Sequence, residues 1–406
     1  MRCRLLAIVT LALCWLASAA SAIAQVTPAH VVLVFIDGPR YSESFAQPDR
    51  IPRIWNDLRP AGCILTDYRN DGYTLTVSGH STTLTGRRQY LANDGSERPH
   101  DLTLFERYRK GSGQPANSVW VVAGKSKLEV LAYSDDPEGG IAYAARDSVG
   151  MGADIPTMET VLGVLASDHP RFMAVNLPEV DLIAHSADWE GYLAAITRAD
   201  SLVGVLWDFL QSDAEYAGRS ALFVTADHGR HDNRPGEPHD GFQNHGDSCE
   251  GCQHIILAAA GVGIRSGVQI DTPSDQSDLG ATLAELMQLD GSGMEGFPIY
   301  AMLETPTAAP ASRKYGASIL GVQPQPFQVG GAILLAPRYG VAFNLSIYDQ
   351  RGRLVRTFRN PGISQSEVSL HWDGRDDSGR AVSSGVYQLR LKDARSVDHF
   401  SLTLLR

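Results

Sequence analysis

Five short apolar runs constrain this chain more than any other feature. Val31–Ile36, Ser118–Ala123, Phe172–Leu177, Ala221–Thr225 and His254–Ala260 are partly β-branched and are each followed by Gly, Asp or Pro turn chemistry. A strand that is apolar at successive rather than alternate positions is buried on both faces. Between these runs, Trp189–Leu210 and Asp278–Leu289 carry apolar residues at helical spacing. Strand alternating with helix from His30 to about Leu289 predicts an α/β fold, a mostly parallel sheet covered by helices on both faces. Such sheets bind ligands beyond the carboxyl ends of their strands. Here those ends are where the polar residues collect.

The character of the chain changes after a Pro/Ala/Thr stretch, Thr305–Ser312. Asn344–Tyr348, Leu354–Phe358, Val368–Trp372, Val386–Lys392 and Phe400–Leu404 alternate or run apolar over short lengths, with Asp/Ser/Gly turns between them. They predict a small all-β sandwich with no cluster of catalytic residue types. At the other end, Arg2 and Arg4 precede a short apolar stretch and the small-residue site Ala22-Ile23-Ala24, the form of a secretory signal. The expected organisation is a signal peptide over 1–24, a catalytic domain over 25–304, a linker over 305–315 and a β-sandwich over 316–406, in a secreted or periplasmic protein. No other segment is long and apolar enough to span a membrane. The formal charge of −11 argues against nucleic acid or an anionic membrane as the main partner.

Removal of the signal would leave Cys63, Cys249 and Cys252. In an oxidising compartment the Cys249-Glu250-Gly251-Cys252 spacing reads as a local disulfide in preference to a zinc site, with Cys63 buried and unpaired. Half of the twelve histidines fall between His185 and His254, beside strand ends, which favours a metal site. Asp37 closes the first strand. Thr76 opens TVSGHSTTLTG, where Thr76 or Ser78 reads as a helix cap and where a phosphate could sit at the helix N-terminus. Asp181-Leu182-Ile183-Ala184-His185 follows the third run, Asp227-His228-Gly229 the fourth, and His245-Gly246 precedes the fifth. Carboxylates and imidazoles without thiolates suit zinc in an open, catalytic coordination sphere.

This ordered set resembles the alkaline phosphatase superfamily over roughly Val31–Tyr300. Thr76–Gly86 resembles the nucleophile region of its threonine-type phosphatases and of the nucleotide pyrophosphatase/phosphodiesterases. The resemblance implies two divalent ions, most simply zinc. One is assigned Asp181, His185 and His245; the other is assigned Asp37, Asp227 and His228, completed by Thr76 as nucleophile. His231 and His239 are then loop histidines, and His254 a packing residue at its strand start.

Sulfatases of the superfamily need a convertible Cys or Ser before Pro and Arg, which Thr76 and its neighbours do not provide. Asn93 is a candidate donor to a phosphoryl oxygen. Gly124-Lys125-Ser126-Lys127 after a strand is similar to the Lys-x-Arg of threonine-type phosphomonoesterases, with Lys127 where Arg is usual. That change keeps the charge and loses a bidentate fork. The pair tilts the reading towards a small phosphate monoester as substrate, with a phosphodiesterase as the alternative and a silent binding protein of the same fold as a remote one. The tail around WDGRDDSGRAVSSGVYQLRL resembles the immunoglobulin-like domain of flagellar hook-capping proteins, which implies Trp372 and Tyr387 as core residues and leaves attachment, sorting or spacing open.

Overall fold

A computed structural model of the chain describes residues 27–237, 239–304, 318–324, 326–336, 342–360, 368–393 and 397–406. The expected signal and linker lie outside the described residues. Nine strands form the larger sheet: β1 (His30–Ile36), β2 (Gly62–Arg69), β3 (Val119–Ala123), β4 (Arg146–Val149), β5 (Phe172–Leu177), β6 (Ser220–Thr225), β7 (His254–Gly261), β8 (Val268–Ile270) and β9 (Ser274–Asp275). Their order is β4-β3-β5-β1-β6-β7-β2-β8, with β9 also on β2. All run parallel except β7, which is antiparallel to both neighbours.

Every residue of β1, β5 and β6 is buried. Helices therefore cover both faces at the centre of the sheet, as the unbroken apolar runs require. The helix Trp189–Ser212 is held at its start by the Asp188 side chain, which accepts from Gly191 N. The helix Gln276–Leu286 begins at a reciprocal capping box between Asp275 and Asp278. Two of the elements that escaped the sequence reading show why. β2 carries Thr66, Asp67 and Arg69 in its second half, and β4 (RDSV) is a polar edge strand.

A second apolar cluster is built from the tail. β10 (Ser318–Gln323), β12 (Ala332–Ala336) and β15 (Val368–His371) form one sheet. β11 (Phe327–Gln328), β17 (Val397–Leu405), β16 (Gly385–Lys392), β13 (Phe343–Tyr348) and β14 (Leu354–Asn360) form the other. Trp372 is fully buried, with its ring 6.0 Å from Phe327 and 5.2 Å from Tyr387. Its indole N–H donates to Arg375 O and the Tyr387 hydroxyl to Ser383 O, so both polar tips are satisfied. The all-β expectation and its two core aromatics hold.

One buried carboxyl in the larger unit is paired only in part. Asp154, at the start of the helix Asp154–Asp168, accepts from Glu179 N at 3.0 Å, while its other oxygen has no partner. Burial pushes this carboxyl up to about 7. Because the folded value exceeds that of the unfolded chain, the native state binds the proton more tightly. Stability therefore falls as pH rises from about 4 and levels off once the folded value is passed. Asp154→Asn keeps the accepting oxygen, so it should stabilise the protein increasingly across that window, by on the order of 1–4 kcal/mol at its upper end. Denaturant midpoints of both proteins against pH test this; a difference that does not grow with pH would refute it.

Candidate functional site

Four adjacent parallel strands, β3, β5, β1 and β6, end at one edge of the sheet. Lys125 and Lys127 follow β3, Asp37 follows β1, and Asp227 and His228 follow β6. Asp181 and His185 lie on the helix Glu179–His185 after β5. Because β7 runs the other way, its start lies at this same edge, and the segment leading into it returns His245 to the group. The helix Thr76–Thr85, entered from β2, brings Thr76.

All seven expected ligands converge. Single donor atoms of Asp37, Asp227 and His228 lie within 4.8 Å of one another, as do those of Asp181, His228 and His245. His228 thus sits between the two groups, its ring stacked on His245 at 3.7 Å. His185 is on the outer side, with Nε2 3.2 Å from Asp181 Oδ1 and a side chain 42% exposed. Thr76 Oγ1 is 3.4 Å from His228 Nε2 and 3.4 Å from Lys125 Nζ. Lys125 reaches both groups, donating to Asp37 Oδ1 at 2.9 Å and Asp181 Oδ2 at 2.6 Å. Thr76, Asn93, Lys125, Lys127, His185 and His245 line a cavity of about 480 Å³.

These donors fit divalent ions. Asp227 Oδ2 is fully buried without a hydrogen bond, with His80 Nδ1 and His228 Nε2 each 3.4 Å away. An orphaned carboxylate oxygen in a cluster of carboxylates calls for a cation. Burial, with Asp37 beside it, pushes the Asp227 carboxyl up to about 6. Burial holds His245 at about 4 and, with His245 alongside, His228 well below the usual imidazole range. Both rings are therefore neutral, as ligation requires. Burial opposes charge on Asp181, but His185, Lys125 and Arg230 outweigh it and hold its carboxyl well below normal. Burial likewise opposes charge on Lys125; Asp37, Asp181 and Asp227 outweigh it and raise the ammonium above the lysine range. Lys127 moves the other way, lowered by burial and by Lys125.

The helix Thr76–Thr85 departs from the capping expectation. Leu75 is its N-cap residue, without a side-chain cap, and Thr76 is the first helical residue. The Thr76 hydroxyl is consequently left for the site. Asn93 takes over the capping work: its Oδ1 accepts from Val77 N at 3.0 Å and from Lys127 Nζ at 3.1 Å. Every residue of this helix is buried. Its threonine hydroxyls survive burial by bonding carbonyls one turn back, Thr82 to Ser78, Thr83 to Gly79 and Thr85 to Ser81.

Three functional neighbours went unnoticed in the sequence. Asn176 Nδ2 donates to Asp37 Oδ2 at 2.8 Å, and His80 Nδ1 pairs with Thr76 O at 2.8 Å. Arg230, buried completely, donates to Asp181 Oδ1 at 2.5 Å and to Gln243 O at 3.2 Å. An amide inside the apolar run FMAVNL was the available signal for Asn176. Arg230 directly follows Asp-His-Gly. The thiol expectation is corrected: Cys249 and Cys252 are free, as is the buried Cys63. His239 is an exposed loop residue whose ring stacks on Trp189 at 3.8 Å, and His254 packs at its strand start on Tyr41 at 3.8 Å. His231 is not an idle loop residue, since its Nδ1 lies 3.3 Å from Cys252 Sγ.

Residues 151–289 match the family described as the metalloenzyme superfamily, and residues 335–396 match the FlgD Ig-like domain. The first window holds Asp181, His185, Asp227, His228 and His245; Asp37, Thr76, Asn93 and both lysines precede it. A phosphopentomutase of Symbiobacterium thermophilum is 28% identical over 173 residues, which is 42% of this chain and 39% of the relative. One of Herpetosiphon aurantiacus is 30% identical over 171 residues, again 42% and 39%. The match thus spans well under half the length of these curated relatives. Among solved structures, the wild-type alkaline phosphatase PafA superposes with a TM-score of 0.52 at 12% identity, covering 69% of this chain and 100% of that one. Murine ectonucleotide pyrophosphatase/phosphodiesterase 5 gives 0.51 at 14%, covering 68% and 100%. At such identity the likeness establishes the fold. The chain has an alkaline phosphatase-like fold carrying a metalloenzyme-superfamily segment, followed by a FlgD Ig-like domain.

Gly79 sets how closely the helix Thr76–Thr85 approaches the Asp227 turn: a Cβ there would lie 2.3 Å from Asp227 O and 3.2 Å from Asp227 Cβ. Gly79→Ala should force the two apart, at about 1–3 kcal/mol in stability, and lower the metal content with it. Elemental analysis beside a denaturation curve tests this, and unchanged metal content would refute it.

Proposed function

We propose that this chain is an exported hydrolase of phosphate monoesters that works through a phospho-Thr76 intermediate. Asp37, Asp227 and His228 would hold one divalent ion, and Asp181, His185 and His245 a second, zinc being the best fit to imidazole and carboxylate donors. The observation that carries the reading is Thr76 Oγ1 beside the Lys125 ammonium, in a cavity that Lys127 and Asn93 also line. The ions, when bound, supply the Lewis acidity that makes a threonine hydroxyl nucleophilic and neutralises phosphoryl charge.

Thr76 Oγ1 gives up its proton to solvent and forms the new bond to phosphorus, as the ester oxygen leaves and takes a proton from solvent. Water then displaces Thr76 from phosphorus, restoring the hydroxyl and releasing inorganic phosphate. Lys125 and Lys127 offer two cations to the non-bridging oxygens of a monoester, which carries close to two negative charges at neutral pH. A diester carries one and gains less. The Asn93 amide nitrogen has no hydrogen bond among the described residues, which leaves it available to a phosphoryl oxygen.

The phosphopentomutase relatives suggest a second reading, return of the phosphoryl group to a sugar hydroxyl. A mutase must keep water from its phospho-enzyme. Here the rim is open: Leu182, also lining the cavity, is 44% exposed and the His185 side chain 42%. That openness favours water as acceptor. The basic and apolar start of the chain, together with the FlgD Ig-like segment, supports export, with the tail as an attachment or sorting module.

The test compares p-nitrophenyl phosphate with a phosphate diester, at saturating metal, on the wild type and on Lys125→Ala/Lys127→Ala. Loss of both lysines should cost the monoester about ten- to a hundred-fold per lysine and the diester much less. Thr76→Ala should abolish turnover of both. A wild type that prefers the diester, or one that transfers phosphate to a sugar faster than it releases it, would overturn this assignment.

A further inference from the structure

Beyond the carboxylates around Lys125, one other cluster of ligand chemistry stands at the same sheet edge among the described residues. His231, Asp247, Cys249 and Cys252 each direct one donor atom to a common point, all within 4.8 Å of one another. His231 Nδ1 lies 3.3 Å from Cys252 Sγ, 3.8 Å from Cys249 Sγ and 3.1 Å from Asp247 Oδ2. A tetrahedral zinc ion with ordinary bond lengths sets its sulfur and imidazole donors about 3.5 Å apart, and its imidazole and carboxylate donors about 3.4 Å apart. The observed separations fall within a few tenths of an ångström of both.

We propose that these four side chains bind a structural zinc ion, distinct from the catalytic pair. Two thiolates, one imidazole and one carboxylate make a closed four-ligand set of the type that structural zinc takes. Thiolates also set this site apart from the oxygen and nitrogen donors around Thr76 and favour a soft ion. A disulfide would join the two sulfurs and leave the converging imidazole and carboxylate without a role. His254, the other nearby imidazole, is committed elsewhere, to Thr66 O at 2.9 Å and to stacking on Tyr41.

The backbone is built to present the four ligands. Cys249 N donates to Asp247 Oδ1 at 2.9 Å, and Cys252 N returns to Cys249 O at 3.1 Å, which winds the Cys-x-x-Cys segment into a single turn. Gly229 N and Arg230 N donate to Cys252 O and Gly251 O at 2.8 Å each, pinning the His231 strand exit against that turn. A Cβ on Gly229 would lie 1.9 Å from Gly251 O, so the two segments are in backbone contact. The ion would fasten the connection between β6 and β7 just beyond His245, and so hold in place the late histidine of the catalytic group.

Cobalt loading of the full chain tests the site independently of catalysis. A thiolate-to-cobalt charge-transfer band in the near ultraviolet can arise only where cysteine coordinates, so the catalytic donors cannot produce it. The wild type and Thr76→Ala should both show the band and bind one metal equivalent more than Cys249→Ser/Cys252→Ser, which should lack it. In the zinc form both thiols should resist a thiol reagent until chelator is added. His231→Ala, which keeps both cysteines, should lower affinity at this site by about ten- to a hundred-fold. The proposal is overturned if the intact, unreduced protein carries a Cys249–Cys252 disulfide. It is overturned equally if the cobalt wild type shows no thiolate band, or if the cysteine variant binds as much metal as the wild type. None of these outcomes bears on Thr76, so the hydrolase assignment stands or falls separately.

Discussion

Three buried carboxylates within reach of one lysine are the constraint on which the rest of this structure depends. Asp37, Asp181 and Asp227 are at most 3% exposed, and Lys125 bonds two of them directly. Charges removed from water are costly unless they are paired and hydrogen-bonded. Much of the surrounding architecture meets that cost. Arg230 takes one oxygen of Asp181, Asn176 takes one of Asp37, and Asp227 Oδ1 accepts from Gly38 N and His228 N. One oxygen of Asp227 stays unpaired. Fixed cations and amides thus offset part of the negative charge, and the unpaired remainder is what divalent ions would satisfy.

The sheet order is what lets one chain assemble this density. Each parallel strand delivers its following residue to the same edge, so four adjacent strands supply four acidic or basic turns without any long loop. The single reversed strand extends the scheme. Because β7 starts where its neighbours end, the residues ahead of it contribute just as those after the others do. His245 joins the catalytic group by that route, and the Cys-x-x-Cys turn, immediately before β7, meets the His231 segment leaving β6. Reversal of one strand therefore gives the site its late histidine and its neighbouring thiol cluster together.

What the sequence showed and what it hid follow the same physics. The five apolar runs were legible because full burial on both faces leaves an uninterrupted signal. β2 was not, because Thr66, Asp67 and Arg69 break its apolar run before the strand ends, where Tyr68 and Arg69 pair with Ile255 and His254. The acidic and histidine ligands stood out as residue types grouped at strand ends. Arg230 and Asn176 did not, because their role is to complete the hydrogen bonds of residues distant in sequence, and only the folded arrangement shows which oxygens need them. Thr76 was singled out by the superfamily resemblance, and it is its residue-level reading that the structure corrects. It looked like a helix cap, yet Asn93, far along the chain, supplies that bond and leaves the threonine hydroxyl uncommitted. His231 and the two cysteines illustrate the same limit, since a Cys-x-x-Cys pair alone is compatible with a disulfide, and the histidine that meets it comes from a different strand exit.

The division of the site along the chain also bears on its chemistry. The family match over residues 151–289 contains most of the metal-ligating residue types, whereas Thr76, Asn93, Lys125 and Lys127 all lie before it. A shared metal platform specifies phosphoryl chemistry in general and is indifferent to the acceptor. Whether a phosphoryl group passes to water or to a second alcohol depends on what surrounds the nucleophile and how well it excludes solvent. In this chain the cavity is lined beside Thr76 by Asn93 and by Gly124–Lys127 after β3, and its wall also carries the exposed residues Gly150, Gly152, Leu182 and His185. An enzyme that must shield a phospho-threonine needs chain over such a wall, and here these lining residues are exposed. The stretch that matches the metalloenzyme superfamily therefore leaves the acceptor open, and the exposed wall of the cavity is the physical ground on which water is proposed.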